Sequence, residues 1–383
     1  MRKIYTLLSL LCFLASTAYA SETKFTEDFI FGKPEIKSIS ILTFGPEGIL
    51  FIGDSKNGTV VAVDLGDNQS PASPGAFNLD DVEGKLGALL GTTRDNVIIH
   101  DLAVNPISQN IYLSVSKGDA SQVGFWKLPN DIGYAEILLK ITPDKKIQEI
   151  SLDQVKYSTT NVPSPAKEGD KNWRKSDKRT ETITDMSYAD GKLFIAGLSN
   201  EEFASSLRVL PFPFKDNAAT ISTIEIWHGA HGKFETTAPI RTFLPYTVNQ
   251  EPQLLAAYTC TPLVSIPIKD LKNGKHVKSK TLAELGARNM PLDIIAFKKN
   301  GKNKILIANT SRSLMSIDVE DIEKQKEAVT HDVEGLNTAG VPYMALPAVG
   351  VMQIDNLNDD FVLGLQRMPN GSLDLRSFPT KYL

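Results

Sequence analysis

Short apolar runs behind an acidic or polar residue recur along this chain, each answered by a turn cluster and then by a β-branched run that ends in a small residue. Asp101-Leu102-Ala103-Val104 leads to Asn105-Pro106, Asp185-Met186-Ser187-Tyr188 to Asp190-Gly191, and Asp293-Ile294-Ile295-Ala296 to Asn300-Gly301. Asn, Asp and Gly accept the left-handed backbone of a tight hairpin, so each cluster reads as a turn between paired strands. The second strands follow as Leu50-Phe51-Ile52-Gly53, Ile111-Tyr112-Leu113-Ser114, Leu193-Phe194-Ile195-Ala196, Leu254-Leu255-Ala256-Ala257 and Ile305-Leu306-Ile307-Ala308. Stretches 254–268 and 305–319 align without a gap and carry the strongest sign of repetition.

Anchored at Ile41, Asp101, Asp185, Arg241, Asp293 and Val349, the copies lie 60, 84, 56, 52 and 56 residues apart. A unit of that size with four short strands is one blade of a β-propeller, so the pattern predicts an all-β, six-bladed ring in a single domain, residues 21–383. Seven blades are the alternative. The long spacing exceeds the others by roughly 28 residues, less than the ~40–50 of a blade. It is read as a polar insertion at about 156–181, rich in Lys, Arg and Pro and carrying Trp173. Closure of the ring is expected from strands at both chain ends, with 24–31 completing the blade that contains 361–365.

The first twenty residues read as an export signal: Arg2 and Lys3, an apolar run from Leu7 to Ala15, and Ala18-Tyr19-Ala20 before a mature start at Ser21. That implies a periplasmic or secreted protein. No later apolar stretch approaches the roughly 20 residues needed to span a bilayer, so no transmembrane segment is expected in the mature chain. Without Arg2 and Lys3 the charge is 39 basic against 45 acidic residues, net −6, which gives no general attraction to nucleic acid. Loss of Cys12 with the leader leaves Cys260 alone, so no internal disulfide can form. There is no Cys-x-x-Cys-His for c-type haem, no phosphate-binding Gly-x-x-x-x-Gly-Lys and no Gly-x-Ser-x-Gly elbow.

In a propeller the loops entering the innermost strands share a face with the loops joining second and third strands. The first set offers His100, His228, His231 and Asn289, and the second Cys260, Asn309 and Arg312. Asp101, Asp185, Arg241 and Asp293 are expected at equivalent places around the axis, with Ile41 and Val349 in the other two. Three carboxylates about one channel repel unless a divalent ion, Arg241 or protonation compensates. The alternative is that each serves a backbone turn. Trp227-His228-Gly229-Ala230-His231-Gly232-Lys233-Phe234-Glu235 is a second candidate metal site, because imidazoles three apart in a glycine-rich loop can share an ion that an Asp, a Glu or Cys260 completes. Arg241, Asn309 and Arg312 are the candidate ligand-binding residues.

Units such as Phe44-Gly45-Pro46-Glu47-Gly48-Ile49-Leu50-Phe51 and Ala103-Val104-Asn105-Pro106 resemble those of secreted bacterial six-bladed propellers of the gluconolactonase and regucalcin, NHL and quinoprotein types. In lactonase-like members of that superfamily a Glu, Asn and Asp set binds a divalent metal at the channel mouth. Here Ile41 and Val349 stand at polar positions of that set and Arg241 intrudes. Two functions are therefore carried forward. One is an exported protein that binds a small ligand, a metal or an envelope partner at the channel-mouth face. The other is a metal-dependent hydrolase or an envelope redox protein, built on the aspartates or the histidine pair with one divalent ion.

Overall fold

The computed structural model describes residues 25–72, 75–124, 126–215 and 218–383. The export signal, Cys12, Ser21 and Lys24 lie outside these residues. Six sheets, antiparallel except where Lys275–Lys278 joins Thr220–His228 in parallel, carry nearly all the regular structure, so the chain is an all-β, six-bladed propeller. The innermost strands are Ile41–Phe44, Val97–Val104, Asp185–Ala189, Ile240–Val248, Pro291–Lys299 and Val351–Asn358, and we number the blades one to six in that order. All five small-ended runs in the sequence are second strands. Among the described residues no helix is long and apolar enough to cross a membrane.

Blades pack face to face, so their middle strands are apolar on both sides rather than alternating. Leu50–Asp54 is buried along its whole length, and Thr59–Asp64 up to its last residue. The six apolar cores each lie between two blades, and together they give the ring order. Leu50, Ile52 and Val61 of blade one meet Tyr112 and Leu138 of blade two. The opposite face of blade one, with Phe51 and Ala62, meets Leu193, Ile195 and Phe212 of blade three. Blades three and four, four and five, and five and six share the next three cores. Leu113 and Leu139 of blade two join Leu363 and Leu375 of blade six in the last. The order around the axis is therefore two, one, three, four, five, six, which is not the order along the chain.

That permutation follows from how the chain leaves blade one. After Thr59–Asp64 it crosses to the outside of blade six, where the N–H and C=O of Leu79 both bond to Leu375 at 2.9 Å and the Phe77 N–H donates to Ser377 Oγ at 2.6 Å. It then builds blade two and returns as Val155–Asn161, the fourth strand of blade one. The N-terminal strand Ile30–Gly32 pairs with Val155–Asn161 at the outer edge of blade one, not with blade six. The expectation that 24–31 closes the last blade is thus corrected: residues 77–79 and 155–161, both internal, interlock the ring. The long spacing has the same origin, since 156–161 is blade strand rather than loop, and the inserted segment runs from 162 to 184.

Candidate functional site

Four aspartates, not three, line the axis, and each ties one inner strand to the next. Asp101 accepts the Leu42 N–H at 2.6 Å, Asp185 that of Phe243 at 2.7 Å, Asp293 that of Ile354 at 2.9 Å and Asp355 that of Val104 at 2.7 Å. In three of them the other oxygen accepts the amide of the following residue, Met186, Ile294 or Asn356. Burial pushes all four carboxyls up, Asp185 to about 7 and Asp355 to about 6, while the charges of their neighbours add to the rise at Asp101 and Asp293. Backbone amides thus satisfy these carboxylates, as the alternative to a metal site supposed, but the principal donors lie in the inner strands of neighbouring blades rather than in a turn.

Arg241 is not their counter-ion. A bulge between Ile240 and Thr242 puts it one residue ahead of the aspartate position, which Thr242 fills, and its guanidinium reaches Glu181 at 2.8 Å. Val349 precedes its strand, and by the same pairing Gln353 fills that position. Ile41 stands where expected. Asp101, Asp185 and Asp293 line a cavity of about 110 Å³ that Arg241 and His100 also border, and all four aspartates line a second one of about 300 Å³. His100 on the wall of the first is spoken for, with Nδ1 2.8 Å from Asn130 and Nε2 2.7 Å from Ser116, and burial lowers it to about 4. Asn309 and Arg312 line neither of these cavities, nor the groove described next. Asn309 Oδ1 accepts from the buried Asn289, and Arg312 donates to the Ala287 carbonyl.

The histidine loop lies elsewhere, on a groove of about 810 Å³ between the inserted segment and blades three and four. Strand Thr220–His228 ends in one tight turn, Gly229–His231, and Lys233–Glu235 folds back on it. Gly232 makes that reversal at φ +60°, where a Cβ would strike the Asp332 carboxylate. The return brings Glu235 under both imidazoles: Oε2 lies 2.8 Å from His228 Nδ1 and Oε1 2.8 Å from His231 Nδ1. Burial opposes ionisation of Glu235, but these two histidine contacts outweigh it and hold the carboxyl down at about 2. The rings stand 3.9 Å apart, centroid to centroid.

Cys260 arrives from blade four, on the turn after Glu251–Tyr258. It and Thr261 both have φ +63°, a conformation that costs a non-glycine residue of order 1–3 kcal/mol and tends to mark functional turns. The Asn289 carbonyl, which accepts the Cys260 amide at 2.8 Å, helps hold the turn. Among the described residues His228, His231 and Cys260 are the one set of three potential metal ligands, with one nitrogen of each imidazole and the thiol sulfur all within 4.8 Å of one another. Both Nδ1 atoms are engaged by Glu235, which leaves the Nε2 atoms to bind. His228 Nε2 is buried without a hydrogen-bond partner. A carboxylate behind a ligating imidazole fixes its tautomer and raises its basicity, the usual outer shell of a histidine metal site.

Glu284, also from blade four, holds the loop from behind. Its Oε1 accepts the Gly229 N–H at 2.5 Å, and burial raises it to about 7 against the pull of the Gly229 and Ala230 amides. Glu235, a possible completing ligand in the sequence, instead turns both of its oxygens to the two Nδ1 atoms. Asp355 and Glu284 gave no local signal: the last repeat is anchored at Gln353, four residues past Val349, and Asp355 lies two residues beyond that position.

No protein-family model and no curated protein matches this chain. Among solved structures, a chain of the "Crystal Structure of Mitotic Checkpoint Complex" is similar at 6% identity and TM-score 0.32, over 99% of this chain and 100% of that one. "Drosophila Semaphorin 1b, extracellular domains 1-2" is similar at 10% identity and TM-score 0.37, over 91% of this chain and 86% of that one. Likeness at this level says nothing of function, and the fold rests on the strand pairing above.

Proposed function

We propose that this is an exported metal-binding propeller that holds one transition-metal ion through His228 Nε2, His231 Nε2 and the Cys260 thiolate and uses it to bind a small molecule in the adjoining groove. The observation that carries the reading is Glu235, one carboxylate that engages both Nδ1 atoms and leaves a buried, partnerless Nε2 beside a cysteine. Thiolate and imidazole select Zn²⁺ or copper over Mg²⁺ and Ca²⁺, which prefer oxygen. Three protein ligands leave a fourth position, the pattern of sites that take up water or substrate. A metal-dependent hydrolase is the second reading, favoured by that open position, where a bound water would be activated at neutral pH. Acyl transfer by Cys260 itself fits less well, because the Cys260 and Thr261 amides that would steady an oxyanion are already bonded to Asn289 and Tyr258.

Metal analysis of protein made without a histidine tag is the test. One equivalent of zinc or copper is expected, lost in Cys260→Ser and His228→Ala and kept in Asp293→Asn. Metal-free protein after equilibration with either ion, or metal that follows Asp293 instead, overturns the proposal.

A further inference from the structure

Resting on that metal site, we propose that the groove beside it is a pocket for a small aromatic anion, whose ring lies on Trp173 and whose anionic oxygen takes the metal's fourth position. Two of the chain's three tryptophans, Trp126 and Trp173, line the groove with His228, His231 and Cys260; the third, Trp227, precedes His228 on its strand and faces the other side of the hairpin. Trp227 packs edge-on to Phe234 at 5.1 Å and so belongs to the wall of the histidine hairpin.

Trp173 is 71% exposed, yet the turn that presents it is fixed on both sides. Arg174 reaches Asp131 at 3.0 Å and Glu181 at 2.6 Å through a side chain only 7% exposed. Asn172 donates to Glu181 at 2.9 Å and accepts the amides of Arg174 and Ser176. Trp126 braces the indole at 6.2 Å in an edge-to-face pair. An exposed ring on a mobile loop would be unremarkable. A ring held out by buried ion pairs is a preorganised platform, which spares a ligand the cost of ordering it.

Size and charge narrow the occupant. About 810 Å³ suits a small molecule, since such pockets run from roughly 300 to 1,000 Å³. Glu181 is paired with Arg174 and Arg241, and Glu235 is turned toward the two histidines that it hydrogen-bonds. Lys167 and Lys178 on the wall make no ion pair among the described residues, and Asp170, Glu201 and Glu202 outnumber them, so the wall itself supplies no positive field. Coordination at the ion, not the charge of the wall, sets the donor: a divalent ion bearing one thiolate and two neutral imidazoles keeps a net +1, which an anionic oxygen in the fourth position neutralises.

Benzoate, acetate and methyl glucoside are the probes, titrated into the zinc-loaded full chain by calorimetry and tryptophan fluorescence, with metal content measured on the same samples. Benzoate is expected to bind at least tenfold tighter than acetate. That advantage should vanish in Trp173→Ala, persist in Trp173→Phe, and leave bound zinc unchanged in both. Benzoate no tighter than acetate, benzoate indifferent to Trp173, or preference for the neutral glucoside overturns this inference alone. Absence of bound zinc overturns the metal reading and this inference with it.

Discussion

Changing Asp185 to Asn should invert the order of stability between variant and native protein as pH rises. Folding moves Asp185 from an ordinary carboxyl value near 3.8 to about 7, because burial at the axis outweighs the N–H groups of Phe243 and Met186 and the Thr242 hydroxyl. At ~1.4 kcal/mol per pKa unit, ionisation in the ring is costlier than in the unfolded chain by roughly 4 kcal/mol. The sign follows from proton counts. Between pH 4 and 7 the folded state binds more protons than the unfolded one, so stability present below the unfolded pKa is lost as pH climbs through about 7. Asn cannot ionise, and it loses one of two carboxylate acceptors at about 1 kcal/mol. At pH 4 the variant should therefore be less stable by about that amount. At pH 8 it should be more stable by on the order of 3 kcal/mol. Urea unfolding at both pH values measures each difference; groups remote from the axis cancel in the variant-minus-native comparison, while Asp101 and Asp293, which the Asp185 charge helps to raise, relax in the same direction as the predicted gain at high pH. A difference that stays constant within 1 kcal/mol from pH 4 to 8 refutes the claim that the axial carboxylates are forced to hold their protons.

The interlock makes Leu79→Pro, which removes the donor to Leu375, more damaging in thermal unfolding than Ile30→Pro on the outer strand; equal losses would count against closure by residues 77–79. Phe51, fully buried against Phe212 at 4.7 Å between blades one and three, should lose about 3–5 kcal/mol on conversion to Ala, read by chemical denaturation, and a loss under 1 kcal/mol would contradict that packing. Glu235→Gln removes no proposed ligand yet should weaken zinc binding about 10–100-fold in a competition titration; unchanged affinity would deny Glu235 its orienting role.

The fold was legible because every blade repeats one local pattern, apolar run, turn and small-ended strand, and each part acts within a few residues of its own position. Ring order was not. It depends on Leu79 pairing with Leu375 and on 155–161 returning to blade one, contacts separated by about 300 and 100 residues that leave no local periodic trace. Anchoring by pattern also slipped in two blades, placing Arg241 one residue ahead of Thr242 and Val349 four residues ahead of Gln353, so that Asp355 was not singled out. The histidine pair was readable from its spacing among glycines. Its association with Cys260 was one of several completions the sequence allowed, and the choice is made by the meeting of the blade-three hairpin with the blade-four turn. The inserted segment reads as a solvated arm from its charge, yet Arg174 and Glu181 are buried, because they pair with each other and with Asp131 and Arg241 of blades two and four.

Anomalous diffraction from crystals of the full chain soaked in zinc tests the metal site most directly. One peak is expected about 2.3 Å from Cys260 Sγ and about 2.0–2.1 Å from the Nε2 atoms of His228 and His231, with Glu235 behind both rings. A peak among the axial aspartates instead, or none at Cys260, would contradict the account.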